Sequence, residues 1–309
     1  MVIKIPHVPL ISWTRGAGTK LIIRGGFNMP YKVLVDSASD IPFDRASAAG
    51  IVTVPMPVTI EGKTLLEGVN LTTREFYAQF NNYKELPKTS QPNPTTLLEH
   101  YERTLSEGYE VVAIHLSSTL SSTFATAQML SDLTSAPDRV HIIDSLGASF
   151  GYGLLALLAQ QILVSAVSWD EAEAEILAIR KKMRYVFTLD TLEYLVKGGR
   201  VSKTAGFIGG LLDVKPILHI TPDGRIEPFA KVRSRRAAIR KLVNVMEHEI
   251  VHPEQQVIGI SHSACEEDAN FLADEIRQLL PVKDIWLSEI GCVVGSHTGP
   301  GTLALFYQT

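Results

Sequence analysis

The chain has 309 residues, of which 45% are hydrophobic and 20% are charged, and its formal net charge is −4. This length and composition predict a globular protein with a substantial core, most simply divided into two domains of ordinary size. Residues 1–28 contain four basic and no acidic side chains, so the rest of the chain has a formal net charge of about −8. This negative charge argues against nucleic acid as a partner.

The cysteines and apolar runs bear on compartment and membrane association. Cys265 and Cys292 are the only cysteines, which excludes a disulfide framework, and neither belongs to a metal-spaced cluster. We therefore predict a reducing, cytoplasmic setting and no metal site. The longest apolar run, residues 147–159, is too short to span a bilayer, so no stable membrane insertion is expected.

The first 28 residues show no amphipathic period and lack the apolar core and cleavage site of a signal peptide. Met29 immediately precedes the first strong strand pattern. We interpret residues 1–28 as an N-terminal extension, either disordered or upstream of the natural start.

The first half of the chain alternates between strand and helix patterns. The predicted strands are 31–35, 51–60, 111–116 and 139–144, and the predicted helices are 72–80, 94–108, 124–133 and 151–167. Such alternation predicts a three-layer α/β/α domain with a mostly parallel sheet over residues 29–168.

Polar segments interrupt these elements at two places. Residues 36–40, Asp-Ser-Ala-Ser-Asp, follow the first strand and are either a functional cluster at a strand end or a helix cap. The loop at residues 86–94 contains three prolines, which hold Thr89, Ser90 and Gln91 in fixed directions. Rigid polar loops of this kind are typical of binding sites.

The hydroxyl turn at residues 117–122 is the most distinctive segment. It carries five hydroxyls, follows a strand and opens a helix, where unpaired N–H groups and the positive end of the helix dipole favour an anion. The alternative is that one hydroxyl caps the helix and the others lie on the surface.

Two short motifs follow at the start of the apolar helix. Residues 147–151 match G-x-S-x-G, so a serine hydrolase or esterase using Ser149 is the alternative function, although no H-G-G-G-type oxyanion segment accompanies it. Residues 151–156 match the dinucleotide fingerprint G-x-G-x-x-A. However, Asp170 and Glu171 open a helix instead of ending a second strand, which argues against a dinucleotide site.

The second half of the chain has a different order of predicted helices and strands. Its predicted elements are helices at 169–183, 191–196, 234 onward and 266–280, strands at 185–189, 256–261 and 284–290, and a hairpin at 215–232. We predict a second α/β domain with a mixed or antiparallel sheet over residues 169–309.

Two further residues are candidates for a site. Residues 291–302 are predicted to be a glycine-rich loop that presents His297, and a histidine between glycines has little packing to explain it. Arg200 follows Gly198-Gly199 and could contact a phosphate, dock a partner or close a helix end.

The segments quoted above carry a resemblance to a known family. The matching residues are V-D-S-A-S-D at 35–40, L-P-K-T-S-Q-P at 86–92, L-S-S-T-L-S-S-T at 116–123, L-D-T-L-E-Y-L-V-K-G-G-R-V-S-K at 189–203, K-P-I-L at 215–218 and G-S-H-T-G-P-G at 295–301. In this order they resemble the DegV family of bacterial fatty-acid-binding proteins.

The resemblance implies a lipid-binding carrier without catalytic residues or a cofactor, which binds one long-chain fatty acid between two α/β domains. Residues 29–168 would bind the head group and residues 169–309 would close the tunnel. Thr89 and Ser121 would hold the carboxyl group, with His297 close by. Ser90 and Ser118 are further candidate ligands, and Arg200 a possible partner or phosphate contact.

Some family members present the acid to a separate ATP-dependent fatty-acid kinase, which forms an acyl-phosphate for phospholipid synthesis. The sequence departs from the usual family pattern at three positions, namely Thr119 and Ser122, where glycine is common, and Asn93, where serine is common. These side chains are expected to alter the shape of the head-group pocket.

A fatty-acid carrier needs a small polar clamp and a long apolar tunnel. Burying about 15 methylenes contributes ~12 kcal/mol, whereas each charge-assisted hydrogen bond contributes only ~1.5–3 kcal/mol. The tail therefore supplies affinity and the clamp supplies orientation. Residues 147–158 and 205–212 are the candidate tunnel walls. A phosphate-ligand binder is a third hypothesis, and the sparse basic side chains in the clamp segments favour a carboxylate over it.

Overall fold

A computed structural model describes residues 31–202 and 214–309. The predicted extension at residues 1–28 and the candidate tunnel wall at residues 205–212 lie outside these ranges. The strands are β1 (Tyr31–Asp36), β2 (Val52–Val54), β3 (Pro57–Ile60), β4 (Lys63–Leu66), β5 (Lys88–Thr89), β6 (Glu110–His115), β7 (Val140–Asp144), β8 (Met183–Thr188), β9 (Val214–Ile220), β10 (Ile226–Arg233), β11 (Val257–His262), β12 (Asp284–Glu289) and β13 (Leu303–Gln308).

Several helices begin at the capping residues that the sequence predicts. They are α1 (Phe43–Ala48), α2 (Thr73–Gln79), α3 (Pro94–Ser106), α4 (Thr123–Ser131), α5 (Ser149–Ser165), α6 (Trp169–Lys182), α7 (Glu193–Lys197), α8 (Arg235–Glu249), α9 (Glu266–Leu279) and α10 (Cys292–Thr298). Thr72 and Glu75 form a capping box at α2, and the Asn93 side chain caps α3 ahead of Pro94. Ser168 caps α6. These caps satisfy backbone N–H groups that a helix start leaves unpaired.

The first sheet is parallel and has the strand order β2-β1-β6-β7. Successive residues of its central strands are buried on opposite faces. Leu34 and Ala113 face α3 and α4, whereas Val33 and Val112 face the larger core that includes α5. This arrangement confirms the predicted parallel three-layer unit.

The second sheet is mixed, with the order β10-β9-β8-β13-β11-β12. The pairs β10–β9, β9–β8, β8–β13 and β13–β11 are antiparallel. The pair β11–β12 is parallel. Helices α8 and α9 pack on one face of this sheet, and α5 packs on the other. The predicted mixed α/β class of the second half is therefore confirmed.

Helix α5 lies between the two sheets and is buried on most sides. Gly151 and Gly153 allow this close packing, because an added Cβ would lie 2.3 Å from the Tyr185 ring and 2.5 Å from the Ser39 carbonyl oxygen, respectively. The glycines of the dinucleotide-like motif therefore serve helix packing. The domain boundary at residues 168 and 169 stays a prediction, since α5 contacts both sheets.

Two predicted elements were wrong in detail. The strand predicted at residues 51–60 is interrupted near Pro55, and β2 and β3 belong to different sheets. β3 instead forms a small antiparallel sheet with β4 and β5. The glycine-rich loop predicted at residues 291–302 contains helix α10, because its flanking glycines, Gly291 and Gly299, lie at the helix ends. Across the described ranges, no helix combines the length and apolarity needed to cross a membrane.

Candidate ligand cavity between the two sheets

A cavity of about 130 Å³ lies where the proline-rich loop, the hydroxyl turn and α10 meet. We call it the clamp cavity. Its polar lining residues are Thr89, Ser90, Gln91, Ser121, Ser122, Arg200, His297 and Thr298, and its apolar lining residues are Met56, Leu116, Leu120, Ala148, Leu195, Ile226, Val293 and Val294. Four of the five predicted ligand residues and Arg200 therefore line one cavity, although they come from distant parts of the chain.

Thr89 is held in position by the small antiparallel sheet. It pairs with Val58 of β3, and the backbone N–H of Ser90 donates to the carbonyl oxygen of Pro57 at 3.3 Å. The Thr89 hydroxyl lies 2.7 Å from His297 Nε2. This contact joins the first half of the chain to α10 at the cavity wall.

His297 is a neutral group in this site. Burial, with the charge of Arg200 as a second cause, lowers the pKa of His297 to about 4. Its Nδ1 atom is buried without a hydrogen-bond partner among the described residues. A Cβ at Gly198 would lie only 2.4 Å from Nδ1, so the glycine at position 198 makes room for the imidazole ring.

Ser121 lies at the start of α4 and in the cavity lining. Its Oγ accepts the Thr123 N–H at 3.2 Å and lies 2.8 Å from Thr123 Oγ1, which stabilises the first turn of α4. The same side chain lines the clamp cavity. Capping and ligand contact are therefore compatible at this position.

The hydroxyl turn also holds the second half of the chain. Ser117 and Thr119 both donate to the carbonyl oxygen of Gly224, at 3.0 and 2.5 Å. Ser118 is exposed and does not line the cavity; its backbone N–H donates to Asp144. The structure therefore does not bring Ser118 to the other candidate ligands.

The three departures from the family pattern each make a defined contact. Thr119 holds the hairpin of β9 and β10 through Gly224, and Asn93 caps α3 by accepting the Thr95 N–H at 2.9 Å. Ser122 donates to Gln91 Oε1 at 2.6 Å and thereby ties the proline-rich loop to α4. Of these three residues, only Ser122 lines the clamp cavity.

Arg200 lies at the edge of the cavity and bridges two segments. Its Nε donates to the carbonyl oxygen of Leu120 at 3.1 Å, and its Nη1 donates to that of Gly198 at 2.6 Å. Burial lowers the pKa of its guanidinium. An outer groove of about 670 Å³, lined by Leu120, Arg200 and Ile226 among others, adjoins the clamp cavity at these shared residues.

A second polar cluster, which the sequence reasoning found only in part, lies at the other end of α10. Asp40 Oδ1 accepts the Gly291 N–H at 2.9 Å, and Glu67 Oε1 accepts the Val293 N–H at 3.0 Å. A Cβ at Gly291 would lie within 2.9 Å of both carboxyl groups, so only glycine fits between them. Burial raises the pKa of Glu67 to about 7 and that of Asp40 well above its usual range.

Ser149 belongs to this carboxyl cluster. Its backbone is in the left-handed region with φ of 55°, and its buried hydroxyl donates to Asp40 Oδ2 and lies 3.0 Å from Ser261 Oγ. No histidine of residues 31–202 or 214–309 hydrogen-bonds to it. Because Ser149 is buried and lacks a basic partner, the structure gives no support to the hydrolase alternative.

The remaining acid of the segment at residues 36–40 is also structural. Asp36 Oδ2 lies 2.9 Å from His115 Nδ1, and Oδ1 accepts the Tyr152 hydroxyl at 2.6 Å. All three side chains are fully buried. Throughout the described part of the chain, no group of His, Cys, Asp and Glu side chains could hold a metal ion.

Comparisons with known proteins show which family this chain belongs to. The DegV family model, described as "Uncharacterised protein, DegV family", matches residues 30–309. A DegV domain-containing protein of Clostridium perfringens is 36% identical over 284 residues, which cover 90% of this chain and 97% of the relative.

Two solved structures have the same fold. A DegV family protein from Thermus thermophilus, described for its fatty acid binding, has a TM-score of 0.84 and 29% identity, and the match covers 91% of this chain and all of the other. DegV of Bacillus subtilis, described as a fatty acid binding protein, has a TM-score of 0.81 and 31% identity over the same shares of the two chains.

Proposed function

Because this chain belongs to the DegV family, we propose that it binds one long-chain fatty acid at the junction of its two sheets, with the carboxylate in the clamp cavity. The observation that carries the proposal is the convergence of Thr89, Ser121 and His297 on one cavity, with Thr89 Oγ1 and His297 Nε2 only 2.7 Å apart. The fatty-acid binding described for the Thermus and Bacillus relatives supports the same ligand class.

The neutral donors of the cavity favour a carboxylate. A neutral His297 that carries its proton on Nε2 donates to Thr89, and this leaves the Thr89 hydroxyl proton free to donate to the ligand. Ser121 supplies a second hydroxyl. Arg200 is the only cationic side chain among the described residues of the lining, which suits a singly charged head group better than a phosphate.

The apolar part of the lining suits an acyl chain. Leu116, Leu120 and Val293 border the polar groups, and the outer groove adds about 670 Å³ beside Leu120. Burial of about 15 methylenes is worth ~12 kcal/mol before the costs of association, several times the contribution of the head-group hydrogen bonds. We therefore assign affinity to the tail and orientation to the clamp, with residues 29–168 binding the head group and residues 169–309 closing over the tail.

The position of the head group also supports a presentation role. Ser90 and Ser122 line the cavity and are exposed, so the clamp lies at the protein surface. A carboxylate held there keeps one oxygen accessible for phosphorylation by a separate fatty-acid kinase. In this function the chain is a cytoplasmic carrier for phospholipid synthesis, and Arg200 is a candidate contact for the kinase or for the transferred phosphate.

Mass spectrometry of an organic extract of the purified protein tests the ligand class. We expect a long-chain fatty acid in the extract, or stoichiometric uptake of added palmitate or oleate after delipidation. A protein that neither carries fatty acid nor takes it up would contradict the proposal. For the presentation role, a purified ATP-dependent fatty-acid kinase should convert the bound acid to acyl-phosphate, and free fatty acid without the protein is the control.

A further inference from the structure

The side-chain amide of Gln91 accepts two hydrogen bonds through its oxygen atom. Ser122 Oγ and Thr126 Oγ1 both donate to Gln91 Oε1, at 2.6 and 2.8 Å. Two donors occupy both acceptor positions of this oxygen, so they fix the plane and the direction of the amide. Because both donors lie at the start of α4, the amide nitrogen is directed away from that helix.

The amide nitrogen is available to a ligand. Gln91 lines the clamp cavity together with Thr89 and Ser121. Within the described residues, Gln91 Nε2 has no hydrogen-bond partner, although it carries two N–H donors. The backbone beside it is rigid, since Thr89 belongs to β5 and Pro92 follows directly. Gln91 therefore brings an oriented side-chain amide to a lining that already contains two hydroxyl groups.

Among the described residues, the lining of the cavity contains no carboxylate that would compete for these donors. A carboxylate has about four acceptor positions on its two oxygens, and the hydroxyls of Thr89 and Ser121 fill two of them. The opposite amide orientation would direct a carbonyl oxygen at the negatively charged head group, which is unfavourable. The orientation that avoids this repulsion also keeps both contacts, since the hydroxyls of Ser122 and Thr126 can donate to the amide oxygen.

From these contacts we infer that Gln91 is a specificity-determining residue, whose Nε2 donates to the bound carboxylate and selects an ionised acid over a neutral amphiphile of equal length. The inference rests on the proposed function. Ser122 and Thr126 act through Gln91 as positioning residues. An acid and an alcohol with the same chain bury the same apolar surface, so the difference in their affinity reports on the head-group donors alone.

The test compares palmitate with hexadecanol on delipidated protein at pH 8. Gln91→Glu keeps an acceptor for Ser122 and Thr126 but replaces the N–H donors with a negatively charged oxygen. We expect palmitate affinity to fall about ten- to one hundred-fold, because one charge-assisted hydrogen bond is lost and a repulsion is added. Hexadecanol affinity should stay within about twofold, since its tail contacts are unchanged.

Two further variants complete the design. Gln128→Glu is the matched control, because Gln128 is an exposed glutamine of α4 outside the cavity and the change introduces the same charge. It should alter neither affinity. Ser122→Ala with Thr126→Val keeps Gln91 but releases its amide, and should weaken palmitate binding by a smaller factor, about three- to tenfold.

The outcomes separate the inference from the proposed function. If Gln91→Glu binds palmitate as tightly as the wild type, or loses palmitate and hexadecanol equally while its thermal unfolding is unchanged, the inference is wrong. If the wild type itself binds neither ligand, the proposed function is wrong. A selective loss of palmitate in Gln91→Glu, absent in Gln128→Glu, supports both.

Discussion

The two ends of helix α10 face two different kinds of buried polar region. At its start, the N–H groups of Gly291 and Val293 donate to the carboxyl groups of Asp40 and Glu67, and the glycine fits between them without free space. At its end, His297 contacts Thr89 at the wall of a cavity. Both regions join the two halves of the molecule. The first is closed by the protein's own groups, whereas the second directs its donors into a space that a ligand can fill.

The pKa shifts in the two regions have opposite directions. Burial raises the pKa of Glu67 to about 7 and lowers that of His297 to about 4, because in both cases the charged form is disfavoured. At neutral pH the clamp therefore lacks a charged histidine, and the carboxyl cluster retains protons.

The largest expected effect is the loss of Asp40. Asp40→Ala removes the acceptor for the Gly291 N–H and the Ser149 hydroxyl, and both donors are buried. We expect the free energy of unfolding to fall by about 3–4 kcal/mol, measured by chemical denaturation. Asp44→Ala, on the exposed face of α1, should cost less than about 0.5 kcal/mol. Equal small losses in both variants would show that the carboxyl cluster does not stabilise the junction.

The next effect concerns pH. Glu67 has a folded-state pKa raised from 4.5 to about 7, so its stabilisation is fully present below pH 4.5 and is lost as pH rises to about 7. His297 has a folded-state pKa lowered from 6.5 to about 4, so its contribution is fully present above pH 6.5 and is lost as pH falls to about 4. Each shift corresponds to at most about 3 kcal/mol.

The two contributions oppose one another between pH 4.5 and 6.5, so single variants should tilt the stability profile in opposite directions. Glu67→Gln should make the slope of unfolding free energy against pH more positive, and His297→Gln should make it more negative. Denaturation midpoints at a series of pH values check this. Parallel profiles for the wild type and both variants would exclude the assigned protonation states.

The clamp variants should affect binding more than stability, because the main cost to stability is the contact of Ser121 with the Thr123 N–H, worth about 1 kcal/mol. Thr89→Ala with Ser121→Ala removes two head-group donors, and we expect palmitate affinity to fall about one hundred-fold, or ~2.7 kcal/mol. Titration of delipidated protein measures it. Ser118→Ala alters the same turn outside the cavity, and affinity should not change. A larger loss in Ser118→Ala than in the double variant would place the head group elsewhere.

The smallest expected effect is a difference between alanine substitutions at the adjacent residues Gly198 and Gly199. Gly198→Ala places a Cβ 2.4 Å from His297 Nδ1, so the imidazole must shift away from Thr89, and palmitate affinity should fall about tenfold. Gly199 has φ of 72° and open space around its Cα, so Gly199→Ala should cost about 1 kcal/mol of stability without a change in affinity. Identical behaviour of the two variants would indicate that His297 does not support the clamp.

Much of the architecture followed from local sequence patterns. The capping box at Thr72, the cap and proline at Asn93 and Pro94, and the alternating strand and helix periods all correspond to elements of the structure. The strand predicted at residues 51–60 failed because the period of 2 does not reveal that β2 and β3 pair with different sheets. The sequence did not indicate a role for Glu67, because an acidic residue before a glycine usually predicts an exposed turn. Only the packing of the folded chain reduces the exposed fraction of Glu67 to 4%.

The sequence alone therefore determined which residue types and which rigid segments were available: a proline-stiffened loop with Thr89 and Gln91, a turn of hydroxyls with Ser121, and one histidine between glycines. These features depend on residues within a few positions of each other. The tertiary structure alone decided that Thr89 and His297, 208 residues apart in the chain, meet at 2.7 Å, and that Ser118 points elsewhere. Such contacts depend on how the two sheets pack around α5, and no local pattern encodes that packing.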